Sequence, residues 1–258
     1  MNDMSKPKRY PGDRNFDDLA HRFADRIYNQ AKGELRLQLL EAELKDWFPD
    51  SRPSCVILDA GGGFGQLSSR YAAAGHSVHI CDISAEMLKL AQHAHADISG
   101  IQYHHRSVQE LELAPVDFIL CHAVLEWVED QEAFIAALAG LLKPTGHLSL
   151  LFYNRHALRF KRLLYGEIER LFAPLERGHG KSLTPSYPCE PTQIKLWLED
   201  KGFEIQAESG IRCISDYIDR QKLHMLEKEM LFEAEKMLST QSPYRELARY
   251  IHIRAQKK

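Results

Sequence analysis

Apolar and polar positions follow two different periods along this chain. Short apolar runs bounded by turn residues alternate with stretches in which apolar residues recur every three or four positions. The runs predict strands and the periodic stretches predict helices, so their alternation indicates βαβ units around a parallel sheet. The predicted strands cover residues 55–59, 77–81, 101–104, 116–121, 147–153, 203–207 and 250–255.

Helical spacing first appears between Phe16 and Trp47, with an interruption expected near Ala31-Lys32-Gly33. Further helices are predicted at 66–74, 84–96, 131–142, 155–172, 192–201 and 214–239. The simple alternation stops after the fifth strand, where a basic amphipathic helix precedes a loop rich in glycine and proline. We therefore expect an α/β fold with a doubly wound, mostly parallel, seven-stranded sheet. Residues 1–15 are predicted to be a tail, residues 16–258 the domain, and about 155–190 a helical insertion.

The first predicted strand leads directly into a glycine-rich turn. Val56-Ile57-Leu58 ends at Asp59, and Gly61, Gly63 and Gly65 follow at alternate positions. Glycine permits a tight turn and lets a ligand approach the backbone, while the next helix places its positive N-terminus beside that ligand. The second strand ends at Asp82, an acid suited to accept hydrogen bonds from a ribose. These features predict a site for a nucleoside-type cofactor.

The glycine spacing distinguishes among such cofactors. A dinucleotide fingerprint reads G-x-G-x-x-G, and Gln66 stands here where its third glycine belongs. The pattern D-x-G-x-G-x-G, beginning at Asp59, is similar to the first motif of class I S-adenosylmethionine (SAM) methyltransferases. SAM is therefore the predicted cofactor. A dinucleotide site and a turn without a ligand remain as alternatives.

Ligands of open α/β sheets lie beyond the carboxyl ends of the strands. That rule selects Gly61 and Gly62 after the first strand, Asp82 after the second, Gln109 in the loop after the third and His122 after the fourth. Each polar candidate also has a structural interpretation. Asp82 would cap the helix that starts near Ser84, Gln109 would be an exposed polar residue, and His122 would be a core histidine bonded to backbone.

The composition restricts the cellular compartment and the binding partners that we expect for this chain. A net charge of −3 does not indicate a nucleic-acid binder by itself, although residues 155–181 carry seven Lys or Arg against three acids. That segment is either a phosphate-contacting surface or an ordinary solvated helix face. Five scattered cysteines without a C-x-x-C pair argue for a reducing compartment and against a zinc site. With no long apolar segment and no signal peptide, we expect a cytoplasmic protein without membrane or metal partners.

Several longer segments give a more specific resemblance. The chain resembles the bacterial tRNA 5-carboxymethoxyuridine methyltransferases from about Arg14 to Ala255. The resemblance rests on Arg14-Asn15-Phe16-Asp17-Asp18, Leu58-Asp59-Ala60-Gly61-Gly62-Gly63, His122-Ala123-Val124-Leu125-Glu126-Trp127-Val128, Phe152-Tyr153-Asn154, Pro191-Thr192-Gln193, Gly210-Ile211-Arg212, Asp216-Tyr217 and Arg249-Tyr250-Ile251-His252.

The resemblance implies a set of cofactor contacts and a substrate. The SAM contacts it implies are Arg36, Gly61, Gly62, Asp82, Val108, Gln109 and His122. An arginine at position 36 also suits the methionine carboxylate by its bidentate geometry, although a plain surface arginine is the alternative. The implied reaction is methyl transfer to the carboxylate of 5-carboxymethoxyuridine at the tRNA wobble position, with the anticodon loop as partner. Phe64 stands in the glycine loop where relatives carry an acid, so no side-chain contact is assigned there.

A carboxylate substrate simplifies the expected catalysis. Its pKa lies near 4, so it is an anion at neutral pH and needs no general base. We predict neither a catalytic triad nor a metal, but cationic or hydroxyl donors that orient the substrate carboxylate. The candidates are Arg212, Tyr153 and Tyr217, with Tyr28 as a further one, and each also has a purely structural interpretation. The alternatives are methyl transfer to a quinone or metabolite and a non-catalytic RNA-binding protein.

Overall fold

The computed structural model describes residues 12–18, 20, 31–49, 51–172 and 184–258. Its centre is a seven-stranded sheet with strand order β3-β2-β1-β4-β5-β7-β6. The strands are β1 (Val56–Ala60), β2 (Ser77–Asp82), β3 (Ile101–His105), β4 (Val116–His122), β5 (Leu142–Tyr153), β6 (Phe203–Ile211) and β7 (Tyr250–Lys257). Strands β1 to β5 pair in parallel, whereas β7 lies antiparallel between β5 and β6. The predicted fold class, a mostly parallel seven-stranded sheet, is confirmed.

Helices cover both faces of this sheet. In the described residues they are α1 (Ala31–Leu44), α2 (Ser68–Ala73), α3 (Ala85–Ala94), α4 (Gln131–Leu141), α5 (Arg155–Leu164), α6 (Pro191–Asp200), α7 (Arg220–His224), α8 (Lys228–Leu238) and α9 (Tyr244–Leu247). Several start at a side chain that accepts from an otherwise unpaired backbone N–H. Ser84 accepts from Met87 at 3.2 Å, Asp130 from Ala133 at 3.0 Å, and Asn154 from His156 at 2.9 Å.

The core consists of two layers, one on each face of the sheet. Neighbouring residues Ile57 and Leu58 are both fully buried, but Ile57 packs with α1 and α3 and Leu58 with α4 and α6. Successive side chains of a strand point to opposite faces, so a strand covered on both faces is apolar throughout. No helix in the described part of the chain is long and apolar enough to span a bilayer.

Element boundaries differ from prediction mainly after β4. Strand β5 begins at Leu142, and the expected turn at 143–146 lies within it, with Thr145 at a φ of 62°. The predicted helix 155–172 ends at Leu164 and, after Gly166 at a φ of 72°, continues as a 3-10 turn at Ile168–Leu171. The predicted helix 214–239 consists of α7 and α8, separated by a break.

Two further corrections have clear causes. Strand β6 extends to Ile211, four residues beyond the predicted end, because its polar residues bond to side chains of α1 and α6 that the sequence pattern does not show. Ser209 donates to Glu43 at 2.6 Å, and Lys195 donates to Glu208 at 2.9 Å. In α1, Gly33 lies within the helix, so the described residues contain no interruption after Ala31. Tyr28 and the part of the insertion at 173–183 lie outside the described residues.

Candidate cofactor and substrate site

A pocket opens at the carboxyl ends of β1, β2 and β4. It is lined by all seven residues predicted to contact the cofactor: Arg36, Gly61, Gly62, Asp82, Val108, Gln109 and His122. They come from α1, from three strand ends and from a 3-10 turn at Val108–Glu110 after β3. The fold therefore brings these residues to one place, and their contact with SAM remains a prediction.

The glycine turn forms one wall of the pocket, and its glycines are needed for both conformation and space. The N–H groups of Gly61 and Gly62 donate to the carbonyl of Cys81 at 2.8 and 3.1 Å, which fixes the turn against β2. Gly61 has a φ of 68°, and a Cβ there would lie 2.6 Å from a methyl of Val124. A Cβ at Gly62 would lie 2.5 Å from the carboxyl carbon of Asp59. A side chain at either position would disturb the loop.

Asp82 holds this loop from the neighbouring strand. One carboxylate oxygen accepts from the N–H of Gly63 at 2.9 Å and the other from the N–H of Ser84 at 2.8 Å. The side chain that caps α3 is that of Ser84. Asp82 accepts from the backbone of Ser84 and is not itself the helix cap, as its structural interpretation had expected. A carboxylate has about four acceptor sites, which leaves capacity for ribose hydroxyls. Burial raises the pKa of Asp82 to about 6 against these hydrogen bonds.

Asp59 is a second buried acid in the pocket wall. Ser68 donates to it at 2.5 Å, and burial raises its pKa to about 7. The charge of nearby Asp82 raises that pKa further. The sequence identifies Asp59 as the start of the motif but not as a residue of the pocket. Its position directly before the glycine turn is the sequence feature that could have identified it as a pocket residue.

His122 reaches the pocket from the end of β4. Its Nε2 is hydrogen-bonded to the hydroxyl of Ser149 on β5 at 2.7 Å, so the predicted alternative of a core histidine bonded to backbone is wrong. Burial is the main cause of a pKa well below the usual range, and the charges of His252 and Arg36 add to it. The imidazole is therefore neutral at physiological pH. The next residue, Ala123, has a φ of 60°, a conformation found more often at functional sites than elsewhere.

Residues 12–17, which include the end of the predicted tail, lie against the same pocket. The N–H of Arg14 donates to the carbonyl of Trp127 at 3.1 Å, and the side chain of Asn15 donates to the carbonyl of Ile83 at 2.8 Å. Phe16 packs edge-on against Trp127, with ring centroids 4.9 Å apart. Arg14 and Phe16 line the pocket. These residues carry part of the family resemblance, but nothing in their pattern indicates a role.

A cluster of positive charge lies next to the pocket, and we call it the Asp216 cluster. The carboxylate of Asp216 contacts Lys32 at 3.2 Å, Arg249 at 2.9 Å and also Arg212. Its burial alone would raise its pKa, but the charges of Arg212 and Arg249 hold that pKa below the usual range. Three cations share one ionised carboxylate, which leaves a surplus of positive charge.

Tyr250 connects the Asp216 cluster with the cofactor pocket. The guanidinium carbons of Arg36 and Arg249 each lie 5.7 Å from the centre of its ring. Burial alone would raise the pKa of Tyr250, but Arg249, Arg36 and Arg212 lower it. Arg249 also stacks on Tyr153, 4.9 Å from the ring centre. A substrate anion at Arg249 would therefore lie one aromatic ring away from Arg36 in the pocket.

The three predicted substrate-orienting residues do not line the pocket itself. Arg212 is buried against Asp216, and the hydroxyl of Tyr217 donates to the carbonyl of Leu247 at 2.5 Å. Tyr153 lies at the end of β5 beneath Arg249. Sequence reasoning missed Lys32, Asp216 and Arg249 as members of one cluster. Position 249 and position 216 belong to quoted family segments, which is the only signal for them.

The pocket has the donors and acceptors that SAM requires. The glycine turn provides close backbone approach, Asp82 has free acceptor sites for hydroxyls, and Arg36 suits a carboxylate. Apolar side chains including Leu40, Met87 and Phe134 complete the wall. Among the residues that the structure describes, no three His, Cys, Asp or Glu side chains group together as metal ligands would.

Comparison with known proteins defines the class. A family model described as a methyltransferase domain matches residues 58–150. The structure of magnesium protoporphyrin IX methyltransferase from Synechocystis PCC 6803 with bound S-adenosylhomocysteine (SAH) superposes with a TM-score of 0.64. The two share 19% identity over 94% of this chain and 96% of the other, which shows the common fold. Fold and site together define a class I SAM-dependent methyltransferase.

Curated relatives define the family within that class. The tRNA 5-carboxymethoxyuridine methyltransferase of Escherichia coli (strain K12) is 39% identical over 253 residues, covering 95% of this chain and 97% of the relative. The enzyme of the same name from Escherichia coli O157:H7 matches to the same extent. A ubiquinone biosynthesis O-methyltransferase of Xanthomonas axonopodis pv. citri is 32% identical over 70% of this chain and 73% of its own length. The chain belongs to the tRNA 5-carboxymethoxyuridine methyltransferase family.

Proposed function

We propose that this protein methylates the carboxylate of 5-carboxymethoxyuridine at the wobble position of tRNA, giving the methyl ester. The observation that carries the proposal is the Asp216 cluster, a partly exposed surplus of positive charge joined to the cofactor pocket through Tyr250. Similarity to the Escherichia coli enzymes over nearly the whole chain supports the same substrate. A tRNA substrate would place the protein in the cytoplasm.

The reaction requires alignment rather than proton transfer. SAM supplies a methyl group activated by its sulfonium when it is bound in the pocket. The substrate carboxylate is ionised at neutral pH, so its oxygen forms the new bond to the methyl carbon without a general base. The bond between that carbon and sulfur breaks, and no proton is released. The protein has to place the oxygen in line and exclude water.

Exposure distinguishes the members of the Asp216 cluster. The side chain of Arg212 is 9% exposed, whereas those of Arg249 and Lys32 are 24% and 44% exposed. We therefore propose that Arg249 and Lys32 contact the substrate carboxylate and that Arg212 supports Asp216 beneath them. Asp216 keeps the cations in place and limits their total charge, so the substrate oxygen is held without losing its nucleophilicity.

An exposed surface beside the cluster suits a single-stranded RNA loop. Arg159 on α5 and Arg170 in the following 3-10 turn are exposed and can contact phosphates. Tyr165 and Phe172 are 71% and 86% exposed, and such rings stack with unpaired bases. We propose this surface as a contact for the anticodon loop, and its exposed rings favour RNA contact over a plain solvated face.

The decisive experiment combines methylation with nucleoside mass spectrometry. Purified protein and SAM are incubated with tRNA that carries unmethylated 5-carboxymethoxyuridine, and in parallel with the same tRNA lacking that modification. We expect one added methyl on the modified uridine alone. Absence of transfer to either tRNA, with SAH binding retained, would reject the tRNA substrate.

A small-molecule acceptor is the second candidate, because the Xanthomonas relative shares 32% identity over most of the chain. A third reaction with a catechol-type quinol tests this candidate. Transfer to the quinol in the absence of tRNA would favour it. The surplus positive charge of the Asp216 cluster argues against it, because a neutral quinol offers no carboxylate to that charge.

A further inference from the structure

A lysine on α5 adds a further cation beside the Asp216 cluster. Residues one helical turn apart lie on the same face of a helix, and positions 157, 158, 161 and 162 form such a face in α5. Three residues on that face are buried, namely Ala157, Leu158 and Arg162. Lys161 is partly buried, whereas Arg159 and Leu163 on the opposite face are exposed. The side chain of Lys161 therefore starts from the face of α5 that packs on the rest of the protein.

Two contacts hold α5 next to the cluster. The side chain of Asn154, at the start of the helix, donates to two backbone carbonyls just before Arg249, at 2.8 and 2.9 Å. Farther along, the ring of Phe160 packs edge-on against that of Tyr217, with centroids 5.2 Å apart. Phe160 directly precedes the lysine, and Tyr217 directly follows Asp216. The helix is therefore fixed against the cluster at two points, one of them beside the lysine.

The charges that act on Lys161 are mostly positive. Burial is the main cause of a pKa below the usual value for this lysine. The charge of Asp216 raises that pKa, and three positive charges lower it further, those of Arg249, Lys32 and Arg212. The carboxylate of Asp216 already contacts all three of these cations. Among the described residues, no carboxylate lies within ion-pair distance of Lys161. An anion beside Lys161 would relieve this repulsion.

The described acids near these cations neutralise only part of their charge. Asp216 supplies one negative charge. Glu126 is a second buried acid, and the charges of Arg36 and Arg249 act on it. Burial raises the pKa of Glu126 to about 7, so at neutral pH it carries about half a charge. A surplus of about two positive charges therefore remains on the four cations, which are Lys32, Lys161, Arg212 and Arg249. This surplus exceeds the single charge of the substrate carboxylate.

The position of Lys161 separates it from the reacting group. Lys161 does not line the cofactor pocket, whereas Arg36, on the far side of the Tyr250 ring from the cluster, does. Lys161 shares α5 with Arg159 of the proposed RNA contact. It therefore suits a part of the substrate that lies between the reacting carboxylate and the rest of the RNA loop.

A wobble nucleotide carries a second anion close to its modified base. In the anti conformation, the C5–C6 edge of a pyrimidine faces the 5′-phosphate of its own nucleotide. A substituent at C5 therefore lies nearer to that phosphate than to the phosphate on the 3′ side. We propose that Lys161 binds the 5′-phosphate of the wobble nucleotide while Arg249 and Lys32 hold the carboxylate on its base. The inference rests on the proposed function and adds a second contact to the same substrate.

Uncharged backbone linkages test this contact in the wild type. Modified tRNA is assembled from synthetic fragments, and the phosphodiester on the 5′ side or on the 3′ side of the wobble nucleotide is replaced by a neutral methylphosphonate. We expect the 5′ replacement to lower kcat/KM for methylation about five- to tenfold, because one charged contact is lost. No loss from the 5′ replacement would overturn the proposal, and this result does not depend on the folding of any variant.

Substitution of the lysine assigns the contact to its side chain. Lys161→Met should lower kcat/KM for the unaltered tRNA about five- to tenfold, and the 5′ replacement should then cost less than about twofold more. The 3′ replacement should lower kcat/KM by the same factor in wild type and variant. Lys161→Arg keeps a cation and should retain the sensitivity to the 5′ linkage. If the 5′ replacement lowers kcat/KM equally in wild type and Lys161→Met, the lysine does not bind that phosphate and the proposal is overturned.

Further controls separate this result from other failures. The affinity of Lys161→Met for SAH should stay within about twofold of wild type, which shows an intact fold and cofactor pocket. Lys236→Met, at an exposed position on α8, should match the wild type with every tRNA. Absence of methylation of the unaltered modified tRNA by the wild type would reject the proposed function itself. Methylation of that tRNA without any effect of the 5′ linkage would reject this inference alone.

Discussion

The cofactor pocket and the Asp216 cluster lie side by side but are built in opposite ways. The pocket is made of backbone and acids: a glycine turn, Asp59 and Asp82, joined by bonds that span 9 to 19 residues. The cluster is made of cations around one acid, and its contact between Lys32 and Asp216 spans 184 residues. The first offers acceptors that suit hydroxyl groups, and the second offers a surplus of positive charge that suits an anion.

This difference separates two tasks. A nucleoside cofactor requires a backbone shape, which a short motif encodes in consecutive residues. A substrate carboxylate requires only positive charge at the correct distance, which side chains from any element can supply. Substitutions should therefore affect cofactor binding or substrate turnover, but rarely both.

The largest effect is expected at the glycine turn. Gly61→Val places a branched side chain at a φ of 68° and against Val124, so we expect SAH affinity to fall more than about 100-fold. Isothermal titration calorimetry measures this. The control is Gly75→Val, because Gly75 has a φ of 94° but a Cβ added there would meet nothing within 4 Å. If Gly61→Val and Gly75→Val bind SAH equally well, the contact with Val124 is not the reason that position 61 requires glycine.

A large effect on turnover alone is expected at the Asp216 cluster. Arg249→Gln removes a cation proposed to hold the substrate carboxylate, and kcat/KM for modified tRNA should fall about 100-fold. SAH affinity should change less than about twofold. Arg245→Gln is a matched control four residues earlier, since Arg245 pairs with Glu246 and Glu208 instead. A parallel loss of SAH affinity in Arg249→Gln would show that the two regions are not separate.

A pH-dependent effect on stability is expected at Asp59. Burial raises its pKa to about 7 in the folded protein, against a value near 3.8 when unfolded. The raised pKa means that its contribution to stability is full below about pH 4 and is lost as pH rises through 7. Asp59→Asn removes this loss and can still accept from Ser68. Its stability relative to wild type should improve by about 2 kcal/mol between pH 5 and 7.5.

Urea unfolding at the two pH values measures this difference. Asp97→Asn, at an exposed position, controls for the loss of one carboxyl group. A stability difference between Asp59→Asn and wild type that stays constant with pH would mean that Asp59 is ionised throughout.

The smallest effect is expected on the RNA-facing surface. Arg159→Glu combined with Arg170→Glu should weaken tRNA binding about five- to tenfold and reduce its dependence on salt, because two phosphate contacts are lost. Filter binding at several salt concentrations measures both quantities. Lys89→Glu, an exposed change on α3, should have little effect. Unchanged affinity in the double variant would place the RNA elsewhere.

The sequence alone determined the fold class and one half of the site. Strand runs, the glycine turn and Asp82 are local signals, since each depends on the conformation of a few consecutive residues. All seven residues expected at the cofactor line one pocket for that reason, together with a family resemblance that supplied Arg36 and Val108.

Only the tertiary structure decided the other half. Strand β7, the last in sequence, inserts between β5 and β6, and this pairing brings Arg249 beside Arg212 and Asp216. The polar residues of β6 and the hydrogen bond between His122 and Ser149 likewise depend on partners from other elements. Their positions depend on long-range pairing and burial, whose energies arise between segments far apart in the chain, and no local pattern records such contacts.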